Sequence, residues 1–413
     1  MRILIAGAGE VGRHLAKLLA REDHNITLMD ADSSRLQDLD MYDFMTREGN
    51  PTSVHDLKDC GVGRVDLFIA VTPYESINMT ACMIADNLGA AKTLARIDNY
   101  EYLLPKNKEF FASLGVDYLI YPEVLASQGI VESLRKNWMR QYLPFCNGEM
   151  ILLSVKVRSN SEIINKQFIS GYFNHDKYRI VAIKRGNRTI LPKGHDQILS
   201  GDIVFFITNE ENLDFVRRQA GKEDYNIKEV IIAGGTKIAQ KVVQTLPSHY
   251  NVKIIEPDRE LCITLSDKLP NTLIINSDCR DVSVLEYEGI DTADAFVAVM
   301  PNSEANLLTC MVAKRYGVKN IDYFNLAESM DISAIVNKKT IAASYIHQIT
   351  LNLDVLNIRT LYSIDAEVVE LIAREGSKVT RDIVRNLRLP DNVNIGGIIR
   401  NGRGSIVNGN THI

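Results

Sequence analysis

The first fourteen residues constrain the fold of this chain more than any other stretch. Ile3 to Ala6 form a short apolar run of the kind that a central parallel strand requires. The spacing G-x-G-x-x-G follows at Gly7, Gly9 and Gly12. In this pattern the first glycine makes a tight turn, the second lets backbone approach a pyrophosphate, and the third packs a helix against the strand. The stretch therefore predicts a strand, a glycine turn and a helix whose free N–H groups can bind phosphate.

An acidic residue follows at the distance expected of a dinucleotide-binding fold. The next apolar run, Ile26 to Met29, ends in Asp30, where a carboxylate can accept from ribose hydroxyls. Ala8, Glu10 and Val11 complete the turn and the start of the helix, and we include them among the candidate cofactor-binding residues. Strand, glycines and acid together predict a nucleotide-binding Rossmann unit. The alternative is a glycine turn in a doubly wound domain that has lost its ligand.

Composition and charge exclude several classes of protein. At 413 residues the chain is too long for one ordinary core, so roughly two to four domains are expected. The net charge of −5 is spread along the chain, without the basic stripe that nucleic-acid binding needs. No apolar run approaches the roughly 18 residues of a transmembrane helix, and we expect no signal peptide, because Met1 leads directly into the first strand. The six cysteines are scattered without a C-x-x-C pair, which favours reduced thiols in the cytoplasm over disulfides or a metal site.

Apolar strands and helical stretches alternate along the first part of the chain. The clearest strand is Leu67 to Val71, which Thr72 and Pro73 close, and a long helix follows from about Ser76 to Leu88. Such alternation predicts a parallel, doubly wound sheet with right-handed crossovers. A later helix, Glu123 to Lys136, leads out of the sheet with an apolar stripe. We expect that stripe to be buried against a symmetry mate.

The pattern changes at about Pro144. Strands are predicted at 151–157, 180–183 and 203–207, separated by segments rich in turn residues. This composition indicates a small α+β module. A polar linker, Gly221 to Asn226, follows it.

The chain then repeats itself. Glu229 to Ala239 matches the opening strand and turn, and Val252 to Glu256 matches the second strand, with Glu256 in the place of Asp30. Ala295 to Pro301 matches Leu67 to Pro73, and identities continue through the helix that follows each of them. We interpret the chain as a tandem duplication.

The duplication divides the chain into four domains. They are a first Rossmann domain (1–137), a first small module (138–220), a second Rossmann domain (227–347) and a second small module (348–413). Residues 395–413 align with 180–198 without a gap, so the second module is expected to be incomplete at its C-terminal end. The predicted fold class is α/β, a tandem repeat of a Rossmann-like doubly wound parallel sheet plus a small α+β module.

The small module carries motifs that point to a known family. A Rossmann unit followed by Ile180–Gly186, Leu191–Asp196 and Leu199–Val204 resembles the RCK regulatory domain (a KTN unit plus a TrkA-C module) of potassium channels and transporters. Two such pairs in one chain resemble the cytosolic regulatory subunit of Trk-type potassium uptake systems. The resemblance covers nearly the whole chain. Its other motifs are Gly7 to Gly12 with Asp30, Val71-Thr72-Pro73 with Glu75 and Asn78, Ala95-Arg96-Ile97, and the Gly201-Asp202 turn.

The resemblance implies a function without catalysis. Members of the family bind NAD(H) or adenine nucleotides (ATP/ADP) in the Rossmann cleft and perform no chemistry on them. By similarity, the chain self-associates into a dimer or ring and gates an integral-membrane potassium transporter subunit of the TrkH or TrkG kind. It is then expected in the cytoplasm, on the inner face of the membrane through that partner, and not on nucleic acid.

The resemblance also implies roles for residues of the first half. Backbone N–H groups from Gly7 to Gly12 cradle the phosphates, and Asp30 takes the ribose hydroxyls; its charge disfavours a 2′-phosphate, so NAD or ATP is expected rather than NADP. The Thr72–Pro73 pair lines the cleft where the strand order switches. Arg96 is a phosphate ligand because its fork matches phosphate oxygens, the alternative being a surface ion pair. Asn50 stands on the adenine side, where the family often has an aspartate.

The second half departs from this pattern. Thr236 replaces the middle glycine and Ala239 the third, and Tyr323 lies close to the counterpart of Arg96. A side chain at Thr236 crowds the pyrophosphate approach, although its hydroxyl can donate to phosphate. Nucleotide binding and a purely structural copy both stay open for this half. Its candidate residues are Gly234, Gly235, Thr236, Lys237, Ile238, Glu256 and Asp278.

Two other functions compete with the regulatory one. An NAD-dependent oxidoreductase needs an acid or base facing the nicotinamide, and the small modules supply no His/Asp or Lys/Tyr pair at a persuasive spacing. A metabolite-binding scaffold without a transport partner is the third possibility.

Overall fold

The computed structural model describes residues 1–20, 24–39, 41–186, 188–223, 225–318, 320–323, 346, 355–361, 364, 366–390 and 392–413. Two compact units are present, the first containing Met1–Ser127 and the second beginning at Gln128. None of the helices in these ranges combines the length and apolarity that crossing a bilayer requires. The same ranges hold no group of three or more His, Cys, Asp or Glu side chains placed to bind a metal ion.

The first unit contains a six-stranded parallel sheet in the order β3-β2-β1-β4-β5-β6. This confirms the doubly wound sheet that the sequence predicts, with its strand order switching between β1 and β4. The strands are β1 (Arg2–Ala6), β2 (Asn25–Asp30), β3 (Met45–Glu48), β4 (Leu67–Ala70), β5 (Thr93–Arg96) and β6 (Tyr118–Ile120). The helices are α1 (Glu10–Leu19), α2 (Val54–Asp59), α3 (Glu75–Asn87), α4 (Pro105–Ser113) and α5 (Pro122–Arg135).

The central strand β1 is apolar along its length because both of its faces are covered. Ile3 and Ile5 point into one core and Leu4 into the other, and none of the three side chains is more than 1% exposed. Leu15 of α1 fills the first core, which also contains the fully buried Ile346 from far along the chain. Burying each of these large side chains stabilises the fold by about 1.5–3 kcal/mol and holds α1 against the strand.

The apolar stripe of α5 is buried within the chain itself. Ile130, Val131 and Leu134 are 2%, 3% and 1% exposed in the single chain. The expectation that a symmetry mate covers this stripe is therefore wrong. The boundary between the two compact units lies inside α5, between Ser127 and Gln128, so the helix begins in one unit and ends in the other.

The second unit opens with the small module, a five-stranded antiparallel sheet in the order β10-β9-β11-β8-β7. Three of its strands were predicted, whereas β7 and β10 were not. The missed β7 contains Pro144, and β10 has only three residues. The strands are β7 (Gln141–Phe145), β8 (Met150–Lys156), β9 (Arg179–Arg185), β10 (Arg188–Ile190) and β11 (Ile203–Thr208), followed by α6 (Leu213–Gln219).

A second parallel sheet follows in the order β14-β13-β12-β15-β16. It repeats the order of the first five strands of the first sheet, as a tandem duplication predicts. The strands are β12 (Glu229–Ala233), β13 (Asn251–Glu256), β14 (Leu273–Asn276), β15 (Ala295–Ala298) and β16 (Asn320–Tyr323). The helices are α7 (Lys237–Thr245), α8 (Arg259–Lys268), α9 (Val282–Tyr287) and α10 (Ser303–Arg315).

The C-terminal residues form two antiparallel pairs of strands. They are β17 (Val355–Thr360) with β18 (Glu367–Leu371), and β19 (Gly397–Arg400) with β20 (Arg403–Ile406). Leu361 and Ile399 pack against Leu152 and Phe205 of the first small module in a shared core. A Cβ atom at Gly396 would overlap the Ile207 side chain, so glycine permits this close approach. The two small modules are thus packed together within one chain.

Candidate functional site

The glycine turn after β1 is tightly packed at two of its three glycines. Gly7 has a φ of 109°, and a Cβ atom there would lie 2.9 Å from the backbone nitrogen of Thr72. A Cβ atom at Gly12 would overlap the carbonyl oxygen of Gly7. Both positions require glycine because of contacts made by the chain itself.

Gly9 is under a different constraint. It is the N-cap residue of α1, with no side-chain cap, and nothing lies within 4 Å of the position a Cβ atom would take. Internal packing therefore does not explain a glycine here. The open space adjoins the free N–H groups at the start of α1, where the helix dipole favours an anion. The residues present thus fit a nucleotide pyrophosphate, for which a Cβ atom at this position would reduce the room.

Asp30 ties the glycine turn to the end of β2. Its Oδ2 atom accepts from the Ala8 backbone N–H at 2.6 Å, and its Oδ1 atom accepts from that of Asp32 at 2.9 Å. The residue is 8% exposed. Each carboxylate oxygen can accept two hydrogen bonds, so capacity for ribose hydroxyls is retained. Arg35 lies beside it, with Nη1 3.9 Å from Oδ2.

Asn50 follows Gly49, which is hydrogen-bonded to the end of β2 at Asp30. The Gly49 N–H donates to the Asp30 carbonyl at 3.0 Å, which brings the two segments together. The Asn50 side-chain oxygen accepts from the Thr52 N–H at 3.0 Å, and its own N–H donates to Asp56 Oδ2 at 2.8 Å. That bond is the main reason that the pKa of Asp56 is lowered. Asn50 is thus positioned by a hydrogen-bonded turn.

The loop between β4 and α3 is organised by Asn78, which is completely buried. Asn78 Oδ1 accepts from the Thr72 N–H at 2.9 Å and from its hydroxyl at 2.7 Å. Asn78 Nδ2 donates to the carbonyls of Thr72 and Arg96, at 3.0 and 2.9 Å. Thr72 follows β4 and lies beside Gly7 at the strand-order switch, with Pro73 exposed next to it. Asn78 was not among the candidate site residues, although an asparagine stands at this position in both copies.

Arg96 forms an ion pair at the carboxyl end of β5. Its Nη2 atom lies 3.1 Å from Glu123 Oε1, and the two side chains are 19% and 9% exposed. The ion pair that the sequence left as an alternative therefore exists, although it is largely buried. Tyr121, close by, has its pKa raised to about 12, chiefly by burial and next by the charge of Glu123. Glu75 accepts from the backbone N–H groups of the two residues that follow Ile97, at 2.6 and 2.7 Å.

The acidic residue of the second copy makes the same two bonds as Asp30. Glu256 Oε2 accepts from the Gly235 N–H at 2.7 Å, and Oε1 accepts from the Asp258 N–H at 3.0 Å. The longer glutamate fits because position 235 is glycine. A Cβ atom there would lie 3.2 Å from Glu256 Cγ and 2.5 Å from Leu265 Cδ1. Both copies therefore contain the same hydrogen-bond network, built from different residues. The first copy pairs Ala8 with Asp30, and the second pairs Gly235 with Glu256.

The second glycine turn differs from the first where a phosphate would approach. Gly234 keeps a φ of 99°, but Thr236 is the N-cap of α7, and its Oγ1 atom is buried without a hydrogen-bond partner in the described part of the chain. Lys237, at the first helical position, is exposed, and Ile238 behind it is buried. The negative Glu10 of the first copy is thus replaced by a cation.

The remaining second-half candidates have different surroundings. Asp278 forms a two-pronged ion pair with Arg280, at 2.9 and 2.6 Å, which lowers its pKa and satisfies its charge. Asn306 repeats part of the Asn78 arrangement, because it accepts from the Met300 N–H and donates to the Met300 carbonyl, each at 2.8 Å.

Fold and site together define a tandem Rossmann chain in which each glycine turn is tied to a buried acid at the end of the second strand. The family model of the TrkA-N domain matches residues 3–122 and 230–343, and that of the TrkA-C domain matches residues 152–221. The chain belongs to the TrkA family of Trk system potassium uptake proteins.

Curated relatives align along nearly the whole chain. The Trk system potassium uptake protein TrkA of Haemophilus influenzae is 33% identical over 417 residues, covering 97% of this chain and 91% of the relative. The TrkA homolog of Archaeoglobus fulgidus is 28% identical over 422 residues, covering 100% and 95%.

Solved structures share the fold. The GsuK channel has a TM-score of 0.64 at 14% identity, covering 100% of this chain and 74% of its own. The GsuK channel bound to NAD has a TM-score of 0.59 at 15% identity, covering 84% and 63%.

Proposed function

We propose that this chain is a regulatory subunit of Trk-type potassium uptake that binds NAD(H) or ATP/ADP in its first Rossmann cleft. The observation that carries the proposal is the open space at Gly9, beside a helix N-terminus and a buried acid that fixes the turn. The names of the relatives support a role in potassium uptake. A structure of the GsuK channel, which shares the fold, is bound to NAD, and another is bound to ADP.

Each candidate residue of the first cleft then has a defined task. The N–H groups from Gly7 to Gly12 hold the phosphates, and Asp30 accepts from the ribose hydroxyls. Asn50 lies on the adenine side. The Thr72–Pro73 pair lines the cleft, and Arg96 reaches phosphate by exchanging Glu123 for the nucleotide. The bound nucleotide is an effector and undergoes no reaction.

We assign the stronger nucleotide site to the first half. Its N-cap position carries no side chain, whereas the Thr236 side chain occupies the equivalent position in the second half. The exposed Lys237 and the buried hydroxyl of Thr236 offer phosphate some compensation, so the second half is proposed as the weaker site. The division into domains 1–137, 138–220, 227–347 and 348–413 is part of the same proposal.

The groups at the cleft suit regulation better than redox catalysis. A general acid or base works best with a pKa near the operating pH. Burial holds the pKa of Tyr121 far above that range, at about 12, and Glu75 is engaged by two backbone N–H groups. We therefore favour a non-enzymatic subunit over an NAD-dependent oxidoreductase. Incubation with NADH and a panel of oxo-acids and aldehydes should leave the NADH absorbance constant, and steady oxidation would contradict the assignment.

The proposed partner is an integral-membrane potassium transporter subunit of the TrkH or TrkG kind. The chain would then act from the cytoplasmic face of the membrane, as a dimer or ring, through that partner. A nucleotide can shift the transporter only by its differential affinity for two states, typically about 1–3 kcal/mol of coupling. NAD and NADH, or ADP and ATP, are therefore expected to change potassium flux to different extents.

The test combines binding with transport. Calorimetry on the full chain should show nucleotide binding that Asp30→Ala weakens by about tenfold or more, because hydrogen bonds to a charged group are lost. The matched variant Glu256→Ala should leave this binding unchanged. Potassium flux through the cognate membrane subunit, reconstituted with the chain in vesicles, should then respond to nucleotide. Flux indifferent to all four nucleotides, or failure to form a complex, would reject the regulatory function in favour of a scaffold.

A further inference from the structure

The second unit contains a cavity that is separate from both glycine turns. Its volume is about 210 Å³, and it lies where the first small module meets the C-terminal residues. Its polar lining comes from both parts of the chain. The polar residues are His175, Tyr178, Arg179, Lys193, Asn394 and Asn408.

Arg179 is the central cation of this cavity. Its Nη1 atom donates to the Val407 carbonyl at 2.6 Å, and its Nη2 atom donates to Asn394 Oδ1 at 2.8 Å. Both acceptors are neutral, and no carboxylate in the described part of the chain pairs with this guanidinium. Burial of the charged guanidinium lowers the pKa of Arg179. A partly buried charge is unfavourable without a counter-ion, and among the described residues only two of the five N–H donors of Arg179 have an acceptor.

Lys193 lines the same space as a second cation, and His175 lines it as a further polar group. His175 and Lys193 are both exposed to solvent, so they are accessible to an incoming ligand. The described residues that line the cavity include no Asp or Glu. The nearby Asp196 accepts from the Lys193 backbone N–H at 2.7 Å. Such clustering of positive charge in a recess favours an anion.

The rest of the wall is apolar. Phe168 and Phe173 stack with ring centres 4.7 Å apart, and Ile180 continues that surface. Tyr178 is 1% exposed, and its hydroxyl has no hydrogen-bond partner among the described residues. The cavity is several times larger than the ~30 Å³ that one water molecule occupies. Its size and lining match a compact molecule with an oxyanion head and an apolar body.

We propose that this cavity binds a small oxyanion of the phosphate-monoester or carboxylate class, with Arg179 and Lys193 as its cationic ligands and His175 as a further hydrogen-bonding ligand. Arg179 belongs to β9 of the first small module, whereas its two acceptors belong to the C-terminal residues. An anion on Arg179 would therefore strengthen the contact between the two small modules. This site is independent of the nucleotide cleft in the first unit.

Calorimetry on the full chain tests the proposal with four probes: phenyl phosphate, benzoate, inorganic phosphate and uncharged benzyl alcohol. Phenyl phosphate or benzoate should bind, and which of the two binds more tightly identifies the head group. Inorganic phosphate should bind more weakly and benzyl alcohol not at all. His175→Ala and Lys193→Ala should each raise Kd by about fivefold to tenfold, because a charge-assisted bond is lost. Arg188→Ala removes an equally exposed cation from the same module, outside the cavity, and should leave Kd unchanged.

The phosphate probe must also be distinguished from a ligand of the glycine turn. Gly9→Val, which fills the space at the start of α1, should leave phenyl phosphate binding intact. Binding lost in Gly9→Val but retained in the His175→Ala/Lys193→Ala double variant would place the probe in the nucleotide cleft and overturn the proposal. Absence of binding by both aromatic anions would overturn it equally. Because both substituted side chains are exposed, folding of the double variant should be unaffected.

Discussion

At the scale of single residues, the glycine turn after β1 contains two kinds of glycine. A Cβ atom at Gly12 would overlap the Gly7 carbonyl oxygen, whereas one at Gly9 would meet nothing within 4 Å. The contact between helix and strand therefore requires glycine at position 12, whereas space for a ligand favours glycine at position 9. Stability and nucleotide binding should consequently separate when the two positions are changed.

We expect Gly12→Ala to lower the free energy of unfolding of the first unit by about 1–3 kcal/mol or more, because the added methyl group is overpacked. Gly9→Ala should change it far less, yet weaken nucleotide binding. Thermal melting and calorimetry on the two variants provide the comparison. Equal melting temperatures, or loss of stability in Gly9→Ala alone, would contradict this division of roles.

The sequence identified these glycines, Asp30 and Glu256, but not the way each acid is used. It paired Glu256 with Asp30 by position alone. Leu265 of α8 packs so close to Gly235 that a Cβ atom at position 235 would overlap it. This contact joins parts of the chain that are distant in sequence, so the sequence alone does not reveal it. The ion pair of Arg96 likewise required the position of Glu123, which only the packing of α5 against the sheet supplies.

At the scale of secondary-structure elements, the loop between β4 and α3 depends on one buried amide. Asn78 bonds the backbone of Thr72 on both sides and also the Arg96 carbonyl, so it joins the loop to β5. The Asn306 side chain makes only the two bonds to Met300 among the described residues. The first loop is thus held at one more point than the second.

Asn78→Ala should therefore destabilise the first unit by at least about 2 kcal/mol, since several buried backbone groups lose their partners. The matched variant Asn306→Ala should destabilise the second unit by less. Urea unfolding monitored by hydrogen exchange resolves the two units separately. A larger loss of stability in Asn306→Ala than in Asn78→Ala would contradict the stabilising role of the Asn78 bond to β5.

The boundaries of elements were predictable where apolar periodicity is strong. The helix expected from Ser76 to Leu88 is α3 (Glu75–Asn87), and the strand expected at 203–207 is β11 (Ile203–Thr208). The two edge strands of the small module were not predicted. β10 has no fully buried residue, and β7 has only one, so neither shows the apolar pattern of a central strand.

At the scale of the whole molecule, buried tyrosines set a limit on stability at alkaline pH. The pKa values of Tyr121 and Tyr142 are raised to about 12, and that of Tyr178 is raised further, in each case chiefly by burial. The usual value is 10.0. The folded chain therefore keeps these protons while the unfolded chain releases them. Stability is fully present below about pH 10 and is lost as the pH rises towards 12.

The melting temperature should accordingly fall between about pH 10 and about pH 12, in both units, since Tyr121 lies in the first and the other two in the second. Tyrosinate absorbance recorded with circular dichroism tests this, because these tyrosines should ionise only as the fold is lost. Tyr178→Phe should shift the alkaline transition of the second unit upwards. A melting temperature that does not change with pH over this interval would contradict the burial argument.

The shared core of the two small modules forms within one polypeptide, and this affects how sequence variants of the chain arise. Leu361 and Ile399 meet Leu152 and Phe205 on the same polypeptide, so this pairing is intramolecular and does not depend on the concentration of the chain. Each small module meets the partner that the same gene encodes. Complementary changes on the two sides of this core are therefore inherited together and selected as a pair.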